Sequence, residues 1–130
     1  GGYLKEMTAD FDTGFDDARA ALKVAARYMK DASEEEEEEV KDMHIRNSFN
    51  SLFHAARLAA MSYLATENAR WGDIKRRLPQ PYRNEFEEFI NTLHIDYFYG
   101  NYPENYEEAF EKWHEKVEDF VRRLEGMKKK

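Results

Sequence analysis

Apolar residues recur along this chain at alternating steps of three and four, the spacing of helices with one buried face. Phe11, Phe15, Ala18, Leu22, Ala25 and Met29 predict a first helix running to about residue 31. Ser33, with Glu36 three positions later, resembles a capping box for a second helix, and acids in a first turn suit the helix dipole. That second helix is predicted to reach about Thr66, with Ile45, Phe49, Leu52, Ala56, Ala59 or Ala60, and Tyr63 inward. Its small residues, Ala55, Ala56, Ala59 and Ala60, allow a neighbouring helix to approach closely. Trp71, Ile74 and Leu78 predict a short helix before the Pro79-Gln80-Pro81 break. With Pro81 in its first turn, the next helix turns Tyr82, Phe86, Phe89 or Ile90, and Leu93 inward. Residues His94 to Asn101 read as an aromatic loop punctuated by Gly100. The last helix is predicted from Asn101 or Tyr102, with Pro103 near its first turn and Gly126 as its stop. Its inner face holds Tyr106, Phe110, Trp113, Val117, Phe120 and Leu124. No strand pattern, internal repeat or linker is visible, so the expected fold is all-α, an antiparallel bundle of four main helices plus one short helix.

The second helix carries something its folding does not require. At about 100° per residue, Arg46, Asn50, His54 and Arg57 fall within a fan of about 80°. A buried helix keeps such a sector apolar, because polar groups without partners are costly to bury. Two arginines, an amide and an imidazole suit an anion or a phosphodiester. The competing reading makes the stripe the wet edge of a bundle.

Composition narrows these choices. The 130 residues are enough for one compact domain with a real core, expected over about residues 11 to 125. Gly1-Gly2 is set aside as an expression scar, and residues 127–130 are expected to form a solvated basic tail. No cysteine is present, which removes disulfides and thiolate chemistry and fits a reducing compartment. No apolar run approaches the roughly 20 residues of a membrane span, and the start does not read as a signal peptide, so a cytoplasmic protein without membrane contact is expected. The net charge of −7 argues against general nucleic-acid binding. Its distribution matters more: from Lys41 to Arg83, eight Lys and Arg face three acids, a local +5 that leaves −12 elsewhere. A phosphate-bearing ligand therefore belongs beside the polar stripe. The Glu34–Glu39 run reads as a solvated face.

Other constellations are weaker. Glu111 and His114 form one E-x-x-H, but a di-iron bundle needs two and further inward glutamates, so no metal site is assigned. His44, in the expected first turns of the second helix, reads as exposed. Asp96-Tyr97, Tyr99 and Tyr102 either close the bundle end or offer a stacking surface to a base, with Tyr97 the candidate.

Phe53-His54-Ala55-Ala56-Arg57 within an alanine-rich second helix resembles the core of the HEPN superfamily. The later Gly72-Asp73-Ile74, Asp96-Tyr97, and closing helix with Ala109 and Phe120-Val121 are similar in order and spacing to its small prokaryotic single-domain members. The resemblance implies an all-helical homodimer whose second helices share a groove, and no cofactor. It also implies either of two activities. One is a module that binds a nucleotide or RNA, sometimes paired with a nucleotidyltransferase in a toxin–antitoxin-type system. The other is a toxin-like, metal-independent endoribonuclease using an arginine and a histidine, here Arg46 and His54. Asn47, Asn50, Arg57 and Tyr97 complete the expected ligand contacts. In the family four to six residues separate the catalytic pair; here seven lie between Arg46 and His54. An eight-position step offsets the two by about 80°, and Asn47 takes the stacked place instead. A structural oligomer without a ligand site is the third reading.

Overall fold

The structure, a computed structural model, describes residues 2–129, with side chains from 14 to 129; Phe11 of the first apolar stripe lies outside the described side chains. All regular structure among the described residues is helical: α1 (Gly2–Glu34), α2 (Glu38–Leu64), α3 (Trp71–Arg77), α4 (Tyr82–Phe89), a π-helix (Ile90–Tyr99) and α5 (Tyr106–Lys128). None of these helices is long and apolar enough to cross a membrane.

The longest contact in the fold is between α1 and α2. Phe15, Ala18, Leu22, Ala25 and Met29 are buried at the spacing the sequence predicts, joined by Ala21 and Ala32. Small side chains line both helices, and at Gly14 the approach is close. A Cβ added there would stand 2.6 Å from Ser62 Cβ. α2 also meets α5 and the π-helix, so it is buried most of the way round: both Ala59 and Ala60 are buried, and Ser48, Phe53 and Ala55 join the expected stripe. The buried Ser48 hydroxyl is satisfied by donating to the Ile45 carbonyl at 2.6 Å.

Several helix ends differ from expectation. α1 runs through Ser33, whose hydroxyl donates to the Lys30 carbonyl at 2.7 Å, so no capping box forms. α2 begins after Glu37, which makes no side-chain cap, although Glu38 and Glu39 in the first turn suit the dipole. α2 ends on Ala65, left-handed at φ 53°, whose N–H reaches back to the carbonyls of Met61 and Ser62. α5 starts at Tyr106, later than Pro103, and Gly126 does not stop it. Lys128, far from being a free tail, donates to the Ser62 carbonyl near the end of α2.

The largest correction concerns residues 94–101. Residues 94–99 of the expected aromatic loop instead belong to a π-helix continuing directly from α4, so one helical column runs from Tyr82 to Tyr99, and only Gly100 and Asn101 lie outside it as expected. Its i→i+5 ladder shifts the register of inward residues away from the 3.6 period, which is why the run shows no α-helical pattern. Phe86, Phe89, Tyr82, Trp113 and Phe120 form the aromatic core where α4 meets α5.

Candidate functional site

On α2 the expected stripe divides in two. Asn50, His54 and Arg57 stay on the open face, while Arg46 turns sideways onto the π-helix. Arg57 Nη2 donates to His54 Nδ1 at 3.1 Å, which places the imidazole proton on Nε2. The Arg57 guanidinium lies 5.6 Å above the Phe53 ring. The π-helix brings His94 against that ring as well, 4.9 Å between centroids. His94 Nδ1–H donates to Asn50 Oδ1 at 2.9 Å, leaving its Nε2 as an acceptor. Phe53 thus contacts both the His94 imidazole and the Arg57 guanidinium, with Phe98 stacked beside His94 and Tyr99 edge-on to it.

The electrostatics of this cluster follow from burial and from one cation. Burial, and then the charge of Arg57, lowers the pKa of His54 below its ordinary value. The same two causes, in the same order, lower that of His94. Both imidazoles are therefore held neutral near pH 7. Burial also lowers the pKa of Arg57 itself. Among the described residues Arg57 has no carboxylate partner, although the chain carries 27 Asp and Glu. On α2 itself no acid occurs between Met43 and Thr66. The arrangement offers a desolvated cation, an N–H from His54 and an acceptor on His94. An entering anion would supply the missing countercharge and raise both imidazole pKa values.

Arg46 is used differently. Its Nε donates to Asp42 at 2.9 Å, and its Nη1 donates to the carbonyls of Phe98 at 3.0 Å and Gly100 at 2.5 Å. The structure does not bring it together with His54. Tyr97 packs its ring on Phe49 at 4.8 Å, part of the core margin. Asn47 is half-buried on the open face and makes no side-chain hydrogen bond among the described residues. His44, expected to be exposed, is half-buried against Tyr28, and its Nδ1 is buried without a partner. Asp96 is exposed, and Asp73 binds Arg76 and accepts from Asn68 at 3.1 Å. Glu111 is exposed, whereas the His114 ring leans on Phe110; among the described residues no three potential ligands cluster for a metal.

His94 and Phe53 are the site members that residue spacing missed. His94 stood at the start of the supposed loop, and only the π-helix carries it back to Asn50. Phe53 sat inside the recognised motif but read as core. The chain matches no protein-family model, no curated protein and no solved structure.

Proposed function

We propose that the open face of α2 and the π-helix binds a phosphate-bearing ligand, a nucleotide or an RNA strand, within a HEPN-like bundle of four main helices. The observation that carries this reading is Arg57, a partly desolvated guanidinium with two neutral imidazoles nearby and no carboxylate. A protein that used Arg57 only for stability would be expected to pair it, because an uncompensated buried charge is costly. His54, His94, Asn50 and Asn47 supply the hydrogen-bonding groups around it, and Phe53 excludes water from beneath.

Binding is preferred to metal-independent cleavage because Arg46, the expected charge stabiliser, is taken up by the carbonyls of the π-helix. A second copy laying its α2 along the same face would close the groove, which is the homodimer the resemblance implies. A nucleotidyltransferase partner belongs to the same proposal.

The test is a titration of purified protein, in chelator, with AMP and with a short 5′-phosphorylated RNA. Arg57→Gln and His54→Ala run beside it, and the RNA is inspected for cleavage. Binding by the wild type, weakened at least about tenfold in both variants and without cleavage, is the expected result. Equal affinity in all three proteins would sink the proposed site. Cleavage lost in His54→Ala would replace it with the nuclease reading.

A further inference from the structure

We infer that Arg46 is a positioning residue: it latches the end of the π-helix to α2 and so sets where His94 stands in the site. This rests on the reading of the Asn50–His54–Arg57–His94 face as an anion site, which Arg46 serves without touching the ligand.

A helix end leaves carbonyls without intrahelical partners and gathers partial negative charge. At the end of this π-helix the chain also folds tightly. A Cβ on Gly100 would stand 2.7 Å from the Asp96 carbonyl oxygen. Arg46 meets that end with one fork. Its Nη1 holds the Phe98 and Gly100 carbonyls at 3.0 and 2.5 Å, with that of Tyr97 at 3.5 Å. Its Nε holds Asp42, one turn back on α2, at 2.9 Å. The ring then closes through Tyr102, whose hydroxyl donates to the other oxygen of Asp42 at 2.7 Å and whose ring lies 5.2 Å from the guanidinium. Burial pushes the Asp42 carboxyl up, but the hydrogen bonds from Arg46 and Tyr102 outweigh it and hold the group below the ordinary carboxylate value.

The latch reaches His94 by a short path. Phe98, whose carbonyl Arg46 holds, stacks its ring on that of His94 at 5.9 Å and 16°. Four residues after Arg46, Asn50 takes His94 Nδ1–H. α2 therefore grips the π-helix at two points one turn apart, Arg46 at its end and Asn50 at His94. Two grips fix a register that one cannot. With Arg46 gone, the terminal turn is free to fray or tighten toward α spacing, and either movement rotates His94 away from Asn50. Lysine cannot replace it, because a single ammonium lacks the planar fork that spans a carboxylate and two carbonyls.

The experiment uses the whole chain with Arg46→Gln, Arg46→Lys and the milder Tyr102→Phe. It records amide exchange over residues 96–102, side-chain ¹⁵N signals of His54 and His94, and AMP affinity. Arg46→Gln is expected to speed exchange at least about tenfold and displace the His94 signals while leaving those of His54 in place. AMP affinity is expected to fall about three- to tenfold, as for loss of one well-placed hydrogen bond. Arg46→Lys should not restore any of these, and Tyr102→Phe should shift them the same way by less. Unchanged exchange and unchanged His94 signals in Arg46→Gln overturn the latch, and if affinity falls all the same, Arg46 touches the ligand. If the wild type binds no AMP, the anion-site reading fails, while exchange and the His94 signals still decide the latch.

Discussion

Arg57 on α2 and Arg123 on α5 are both partly buried arginines lying against an aromatic ring, yet they occupy opposite electrostatic situations. Arg123 donates to both oxygens of Glu85, one at 3.0 Å, and to Asp119 at 2.8 Å, with the Tyr82 ring 5.3 Å away. Its pKa is raised, first by the hydrogen bond to Glu85. Arg57 has a neutral histidine where Arg123 has carboxylates, and burial pushes its pKa down. In the depression between α4 and α5 that Arg123 lines, each charged side chain has an ion-pair partner: Glu85 and Asp119 with Arg123, and Glu88 with Lys116. A satisfied arginine fastens helices together. An arginine without a carboxylate, in an acid-free stretch of α2, is what the proposed anion site rests on.

The difference can be broken most directly by mutation. Arg57→Gln should weaken binding of 5′-phosphorylated RNA by at least a factor of ten, about 1.4 kcal/mol or more, while changing stability by less than about 0.5 kcal/mol. Arg123→Gln should do the reverse, keeping the affinity and losing about 1–2 kcal/mol of stability in urea unfolding. Similar stability losses in both variants would erase the distinction. A smaller effect comes from giving Arg57 the partner it lacks. Asn50→Asp keeps an acceptor for His94 and adds a carboxylate to the cluster. The His94 pKa should rise and RNA affinity should drop about three- to tenfold, readable by NMR titration and by binding.

The two regions should also separate by pH. His54 and His94 have native pKa values below the ordinary histidine value, so the unfolded chain holds more protons in the interval between. Stability without ligand should therefore be complete above about pH 6.5 and decline as pH falls through the native histidine pKa values. Asp119, lowered chiefly by its hydrogen bond from Arg122, behaves differently. Its contribution is present above about pH 4 and is lost only as pH falls through its native value. His54→Ala with His94→Ala should flatten the first decline and leave the second. A helix end distant in character from both supplies the smallest effect. Ala65 is left-handed at φ 53°, so Ala65→Gly should raise stability by about 0.5–1 kcal/mol in thermal unfolding, with no change in binding.

The inner faces of α1, α2 and α5 were legible in the sequence because each obeys the helical period over several turns. Phe110, Trp113, Val117, Phe120 and Leu124 are buried as their spacing predicts. Helix ends were not, since Glu37 caps α2 without a side-chain bond and Lys128, at the end of α5, donates to a carbonyl 66 residues away. The open stripe was legible as a stripe. Its division was not, because the wheel places Arg46 beside Asn50 but cannot know that carbonyls 52 and 54 positions later will claim its guanidinium. His94 was hidden for the matching reason. Its place depends on a π-helix whose period a search for 3.6 does not see.

The most direct measurement is a pH titration of the His54 and His94 side chains by ¹⁵N NMR, with and without AMP, in the wild type and in Arg57→Gln. The expected result is that AMP raises the pKa of both histidines in the wild type and leaves them unmoved in the variant. AMP that binds while both titration curves stay where they were would contradict an anion seated against Arg57.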